Sequence, residues 1–200
     1  MYKPAIKFLI LMWAASLSSC FLLQSNQSIR QVTRNKTGTD TSHIYTLPFA
    51  PGKNVFVVQG YESAFSHKGS LAVDFKVKTG TSVYAARGGV VTGARDNSDV
   101  GGLKPENLAD GNYILIQHSD GSEAQYWHFR QDGVLVNSGD TVTTGQLIGY
   151  SGNTGYSAFP HLHFEVSGYK NDGGYGNLPT RFRTQHGVVY LRPGSFYRVR

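Results

Sequence analysis

Two hundred residues suffice for one domain with a hydrophobic core and a terminal extension, and hardly for two domains. The composition, 40% hydrophobic and 12% aromatic, is that of a globular protein, and 24 glycines among many Tyr, Val and Thr predict short strands and tight turns rather than helices. The net charge of +6 favours anionic partners, but no dense Lys/Arg cluster accompanies it, so nucleic acid is not an expected ligand.

The first element in chain order is a leader over residues 1–20. Lys3 and Lys7 form a short positive region, and residues 8–15 are an apolar stretch too short to span a membrane as a mature helix. Leu17-Ser18-Ser19-Cys20 then offers small residues at a cleavage point before the single cysteine. This resembles the lipobox of bacterial lipoproteins. It implies an exported chain held at the envelope membrane by a lipid on Cys20. A lone cysteine forms no internal disulfide, so the export inference rests on the leader alone. Residues 21–42 are polar and lack apolar periodicity, which reads as a flexible tether.

The folded region is expected over 43–200. Strand-like runs separated by Gly, Asp or Asn fall at 54–59, 71–76, 82–86, 89–94, 113–118, 123–129, 146–150 and 161–167. No long amphipathic helix pattern occurs. The fold class that follows is all-β, or β-dominated, in a single domain. Residues 96–111 form one long polar connection containing Pro105, and loops of that length in compact domains often line binding grooves.

The chemistry lies in the histidines. His161 and His163 are two residues apart in a strand-like segment, so both imidazoles face one way while Leu162, Phe164 and Val166 face the core. Paired imidazoles at this spacing suit metal binding or proton transfer. Upstream, SHKGSLAVDF supplies His67 and Asp74, both of zinc-ligand type. In QYWHFR, His128 is expected on a further strand with Tyr126 on its own face and Trp127 opposite. No HExxH helix is present, which excludes a Glu base placed beside two helical ligands. His118 precedes a hairpin turn and reads as structural, as do Asn112, Gly149, Gly152 and Gly155.

Several of these segments resemble the LytM/lysostaphin-like zinc endopeptidases: residues 139–166 (GDTVTTGQLIGYSGNTGYSAFPHLHFEV), 79–91 (TGTSVYAARGGVV) and YWHF at 126–129. The resemblance covers about residues 55–198. It implies a β-dominated domain with a central antiparallel sheet, of duplicated-hybrid-motif type, and a groove floored by one zinc ion. It also implies His67, Asp74 and His163 as ligands, with His128 and His161 acting on the water and the transition state. Seven positions separate His67 from Asp74 here, where many members have four. The implied substrate is the peptide of peptidoglycan, either cross-link or stem, cut by a monomer. The competing expectations are a catalytically silent protein that activates cell-wall amidases and a metal-dependent hydrolase of other peptides.

Overall fold

The computed structural model describes Ile29 and residues 43–200. The leader, Cys20 and the rest of the 21–42 segment lie outside the described residues. Ile29, within the stretch read as a tether, is 5% exposed and lines a cavity with Tyr190 and Tyr197.

Alternation along the chain builds the main sheet. In Asn54–Gln59, Tyr113–Gln117, Glu123–Trp127 and His161–Tyr169 every second side chain is buried. Val55, Val57, Ile114, Ile116, Ala124, Tyr126, Leu162, Phe164 and Val166 thus share one face. Removing the Val, Ile, Leu and Phe side chains among these from water stabilises the fold by roughly 1.5–3 kcal/mol each. The nine-stranded sheet runs in the order Thr141–Val142, Gly89–Arg95, Tyr113–Gln117, Glu123–Trp127, His161–Tyr169, Val73–Lys76, Asn54–Gln59, Phe196–Arg198, with Tyr175–Asn177 also paired to His161–Tyr169. All neighbours along that path are antiparallel.

Two three-stranded sheets accompany it: Ser82–Tyr84, Leu147–Ser151 and Phe129–Val134 form one, and Ile44–Thr46, Arg181–Thr184 and Gly187–Val189 the other. Aromatic rings knit the core. Phe164 lies 5.1 Å from Tyr126 and 5.5 Å from Phe182 in edge-to-face contacts. The buried Tyr126 hydroxyl accepts a hydrogen bond from Ala86 N, and the Tyr61 hydroxyl both accepts from Thr180 N and donates to Thr180 O. The β-dominated, antiparallel architecture agrees with the sequence reading.

Two local differences matter for function. The expected strand 123–129 is broken at His128, whose φ of 72° hands the chain from the main sheet to the strand Phe129–Val134 of a smaller one. The long connection 96–111 is also more ordered than its composition suggests. Gly101–Gly102 pairs in parallel with Gly155–Tyr156, and Pro105–Asp110 is a 3-10 helix, the only helical element among residues 43–200.

Candidate functional site

The register of the main sheet assembles the site on the face opposite the aromatic core. His163 pairs directly with Asp74 on one neighbouring strand and with Trp127 on the other. Directly opposed residues bring their Cβ atoms to about 4.5–5.5 Å, so an imidazole and a carboxylate meet without any loop to position them. His163 Nδ1 lies 2.9 Å from Asp74 Oδ1.

A register shift on the other side of Asp74 adds a third group. Val57 pairs with Phe75, but Gln59, not Val58, pairs with Asp74. The extra residue replaces an apolar side chain by an amide opposite the carboxylate, a common use of such bulges. Gln59 Nε2 donates to Asp74 Oδ2 at 2.7 Å and to Ser66 Oγ at 3.0 Å, and Gln59 Oε1 accepts from Ser63 Oγ.

His67 comes from the loop between these two strands. Its backbone N–H donates to Ser63 O, and Ser70 N donates back to His67 O across a turn with Gly69 at φ 79°. His67 Nδ1 is 3.0 Å from Gly60 O, which can only accept, so that nitrogen carries the proton and Nε2 keeps its lone pair. Nε2 is buried, has no hydrogen-bond partner, and lies 3.2 Å from Asp74 Oδ1.

One ligand atom from each of His67, Asp74 and His163 lies within 4.8 Å of the others. Tetrahedral zinc with bonds of about 2.0–2.2 Å has ligand atoms about 3.3–3.6 Å apart. The observed 3.2 and 2.9 Å separations are close to that edge length, and the orphaned lone pair on His67 is what a metal would engage. The residues fit a zinc ion with one coordination position left open.

Burial strongly favours a neutral Asp74, but the imidazoles of His67 and His163 outweigh it and hold its pKa well below the usual carboxylate range. For His163, burial pushes the pKa down, while hydrogen bonding and attraction to Asp74 and Glu165 raise it above the ordinary histidine value.

His128 and His161 stand beside this cluster, their rings 4.5 Å apart, with His128 6.0 Å from His163. His128 Nδ1 is 2.6 Å from Thr154 O, and His161 Nδ1 is 2.8 Å from Phe159 O and 3.2 Å from Ser157 Oγ. Carbonyl partners fix the proton on Nδ1 in both rings and leave Nε2 as a proton acceptor. Burial, then the charges on His161 and His163, push His128 down to about 3. Burial likewise lowers His161, against the opposing pull of Asp74.

The expected facing of the YWH segment is corrected here. Tyr126 points into the core, whereas Trp127 and His128 both line the groove. The left-handed conformation at His128 resets the two-residue alternation, so adjacent side chains share a side. Asn112 secures this crossover: its carbonyl accepts from His128 N, and its side-chain amide donates to Phe129 O.

The groove above these groups encloses about 280 Å³. Phe65 and Ser66 form one wall, and Leu103 and Leu108 of the long connection another. The connection is seamed to the floor by glycines, since a Cβ on Gly101 would overlap the Asn153 carbonyl and one on Gly155 would sit 2.7 Å from Gly111 Cα. Sequence reasoning missed Gln59 and Glu165. Glu165 was reachable, because two-residue alternation from His161 and His163 carries it to the same face; the bulge at Gln59 leaves no such signal. His118 is buried away from this group with Nδ1 2.8 Å from Gly88 O.

The family model for peptidase family M23 matches residues 66–175, which include His67, Asp74, His128, His161 and His163. The peptidoglycan DD-endopeptidase ShyA of Vibrio cholerae is 39% identical over 93 residues, 46% of this chain and 19% of that protein. The glycyl-glycine endopeptidase ALE-1 of Staphylococcus capitis is 32% identical over 139 residues, 63% of this chain and 36% of that protein. The chain therefore spans about a third or less of the length of these relatives. Among solved structures, the deep-sea M23 metalloprotease pseudoalterin is similar in fold, with a TM-score of 0.50 at 21% identity over 80% of this chain and 96% of that one.

Proposed function

The chain belongs to peptidase family M23, and we propose that it is a zinc-dependent endopeptidase hydrolysing peptide bonds in peptidoglycan cross-links or stem peptides. One observation carries the reading. A buried carboxylate and two imidazoles converge on a tetrahedral-sized gap, beside two further imidazoles that line the same groove with Nδ1 held by backbone carbonyls. His67, Asp74 and His163 are the metal ligands in this reading, and His128 and His161 are the catalytic bases and acids.

A zinc ion held there supplies Lewis acidity toward a carbonyl oxygen and a hydrolytic nucleophile near neutral pH. The chain's own groups do the proton work. With Nδ1 pinned to Thr154 O or Phe159 O, His128 Nε2 and His161 Nε2 can each accept a proton from attacking water. Once protonated, a buried imidazole with a lowered pKa is a strong acid, suited to giving that proton to the departing amine. The cation formed in between faces the developing oxyanion and stabilises it. Phe65, Leu103 and Leu108 line the groove around these groups.

The substrate class is supported by the peptidoglycan DD-endopeptidase activity named for ShyA, the glycyl-glycine endopeptidase activity named for ALE-1, and the envelope address read from the leader. A monomer held to the membrane through Cys20 completes the proposal. Retention of all five key side chains in hydrogen-bonded positions speaks against the silent amidase-activator reading.

The test is digestion of purified peptidoglycan by zinc-loaded protein, with mass analysis of the released muropeptides. New peptide termini are expected, and His163→Ala should abolish both zinc binding and their release. A wild-type protein that binds no zinc, or a His163→Ala protein that digests wall normally, overturns the proposal.

A further inference from the structure

The seven-residue step from His67 to Asp74 could span about 24 Å if extended, yet the two side chains end 3.2 Å apart. The surplus chain has to fold back and be held there. Backbone bonds do part of this: Glu62 N donates to Ser70 O, Ser70 N to His67 O, and Gly69 N to the Glu62 carboxylate. These bonds stay within the loop, so they shape it without fixing it to the strand that carries His163.

That attachment runs through two side chains with no role so far. Ser70 Oγ donates to Glu165 Oε2 at 3.0 Å across 95 residues of sequence. Glu165 shares a strand face with His163, and the same Oε2 lies 3.8 Å from His163 Nε2. One carboxylate oxygen therefore faces the loop bearing His67 and the ring of His163 together.

We propose that Ser70 and Glu165 form a clasp that sets metal affinity by fixing the His67 loop against the His163 strand. The proposal rests on the metal-centre reading above. Ser70 and Glu165 are positioning residues: both act through His67 and His163. The clasp holds His67 Nε2 toward Asp74 by tying the loop to the strand that carries His163.

The test is zinc affinity of the full chain, measured by competition with a chromophoric chelator. Groups that orient metal ligands are typically worth about 10- to 100-fold in affinity. Ser70→Val and Glu165→Gln should each weaken zinc binding by about that factor, and Ser70→Thr, which keeps the hydroxyl, should stay near wild type. The double variant should bind no more weakly than the weaker single variant, because both changes open one contact. Val and Thr are nearly isosteric, so their comparison isolates the hydroxyl even where Ser70→Ala would fail to fold. The urea midpoint of the zinc-free protein should fall further for Ser70→Val than for Ser70→Thr, because only Val loses the bond to the Glu165 carboxylate. Equal zinc affinity of those two variants, or multiplicative losses in the double variant, overturns the clasp. Absence of zinc binding by the wild type instead brings down the metal-centre reading itself.

Discussion

Replacing His128 by alanine should separate chemistry from metal binding. The change removes a ring 4.5 Å from His161 that is not one of the three clustered ligand groups, so zinc stoichiometry should stay at the wild-type value. Loss of one general acid–base group is typically worth about 10²–10⁴-fold in rate, or roughly 3–5 kcal/mol of transition-state stabilisation. Folding also suffers. The lost bond to Thr154 O costs about 0.5–1.5 kcal/mol, and holding alanine at a φ of 72° costs roughly 1 kcal/mol more. Together these amount to about 2 kcal/mol, a fall of roughly 4–8 °C in Tm for a domain of this size. His128→Asn tolerates the left-handed backbone and should recover part of the Tm without recovering activity. The assay is kcat/KM on an isolated cross-linked muropeptide, with zinc content and calorimetry on the same samples. Wild-type kcat/KM in zinc-loaded His128→Ala, or loss of its zinc, would refute the reasoning.

Chelation should abolish wall digestion, and added zinc should restore it to wild-type protein but not to His67→Ala, as read by turbidity clearing of wall suspensions. Phe164→Ala should cost about 3–5 kcal/mol in urea unfolding, because its ring is 1% exposed and packs on Tyr126 and Phe182. Burial lowers the pKa of His118 below that of the unfolded chain. The unfolded state therefore takes the proton first, and the stability associated with neutral His118 is present above about pH 6.5 and lost below it, with a slope of at most about 1.4 kcal/mol per pH unit. His118→Gln should flatten that limb of the stability–pH curve relative to wild type. Leu108, 68% exposed at the groove wall, should accept serine within about 0.5 kcal/mol of stability while KM rises.

The fold was largely legible because period-2 burial is written directly into segments such as residues 113–117 and 161–167. Among the unforeseen strands, Tyr175–Asn177, Arg181–Thr184, Gly187–Val189 and Phe196–Arg198 are only three or four residues long, with Pro179, Pro193 and Gly194 in the connections. Phe182, for example, is buried among Tyr45, Phe75 and Phe164 by partners remote in sequence, which no short window reveals. At the site, the facing of His161 and His163 followed from strand geometry, and the grouping of His67 with Asp74 from family motifs. The Gln59 bulge and the backbone flip at His128 did not follow, because each breaks the alternation on which such reading depends.

The glycine seam beneath the long connection has a consequence for how this groove can change. At Gly101 and Gly155, backbone lies against backbone too closely for any side chain, while Leu103 and Leu108 project freely from the stretch between Gly102 and Gly111. The stem is thus closed to variation and the tip is open to it. Arg95 anchors the tip through the Ala109 carbonyl, so new side chains there would be presented from a fixed base. Gly155 adjoins Thr154, whose carbonyl orients His128. A library confined to Leu103 and Leu108 would retune the wall without disturbing His128 or His161, whereas one reaching either glycine would change wall and floor at once.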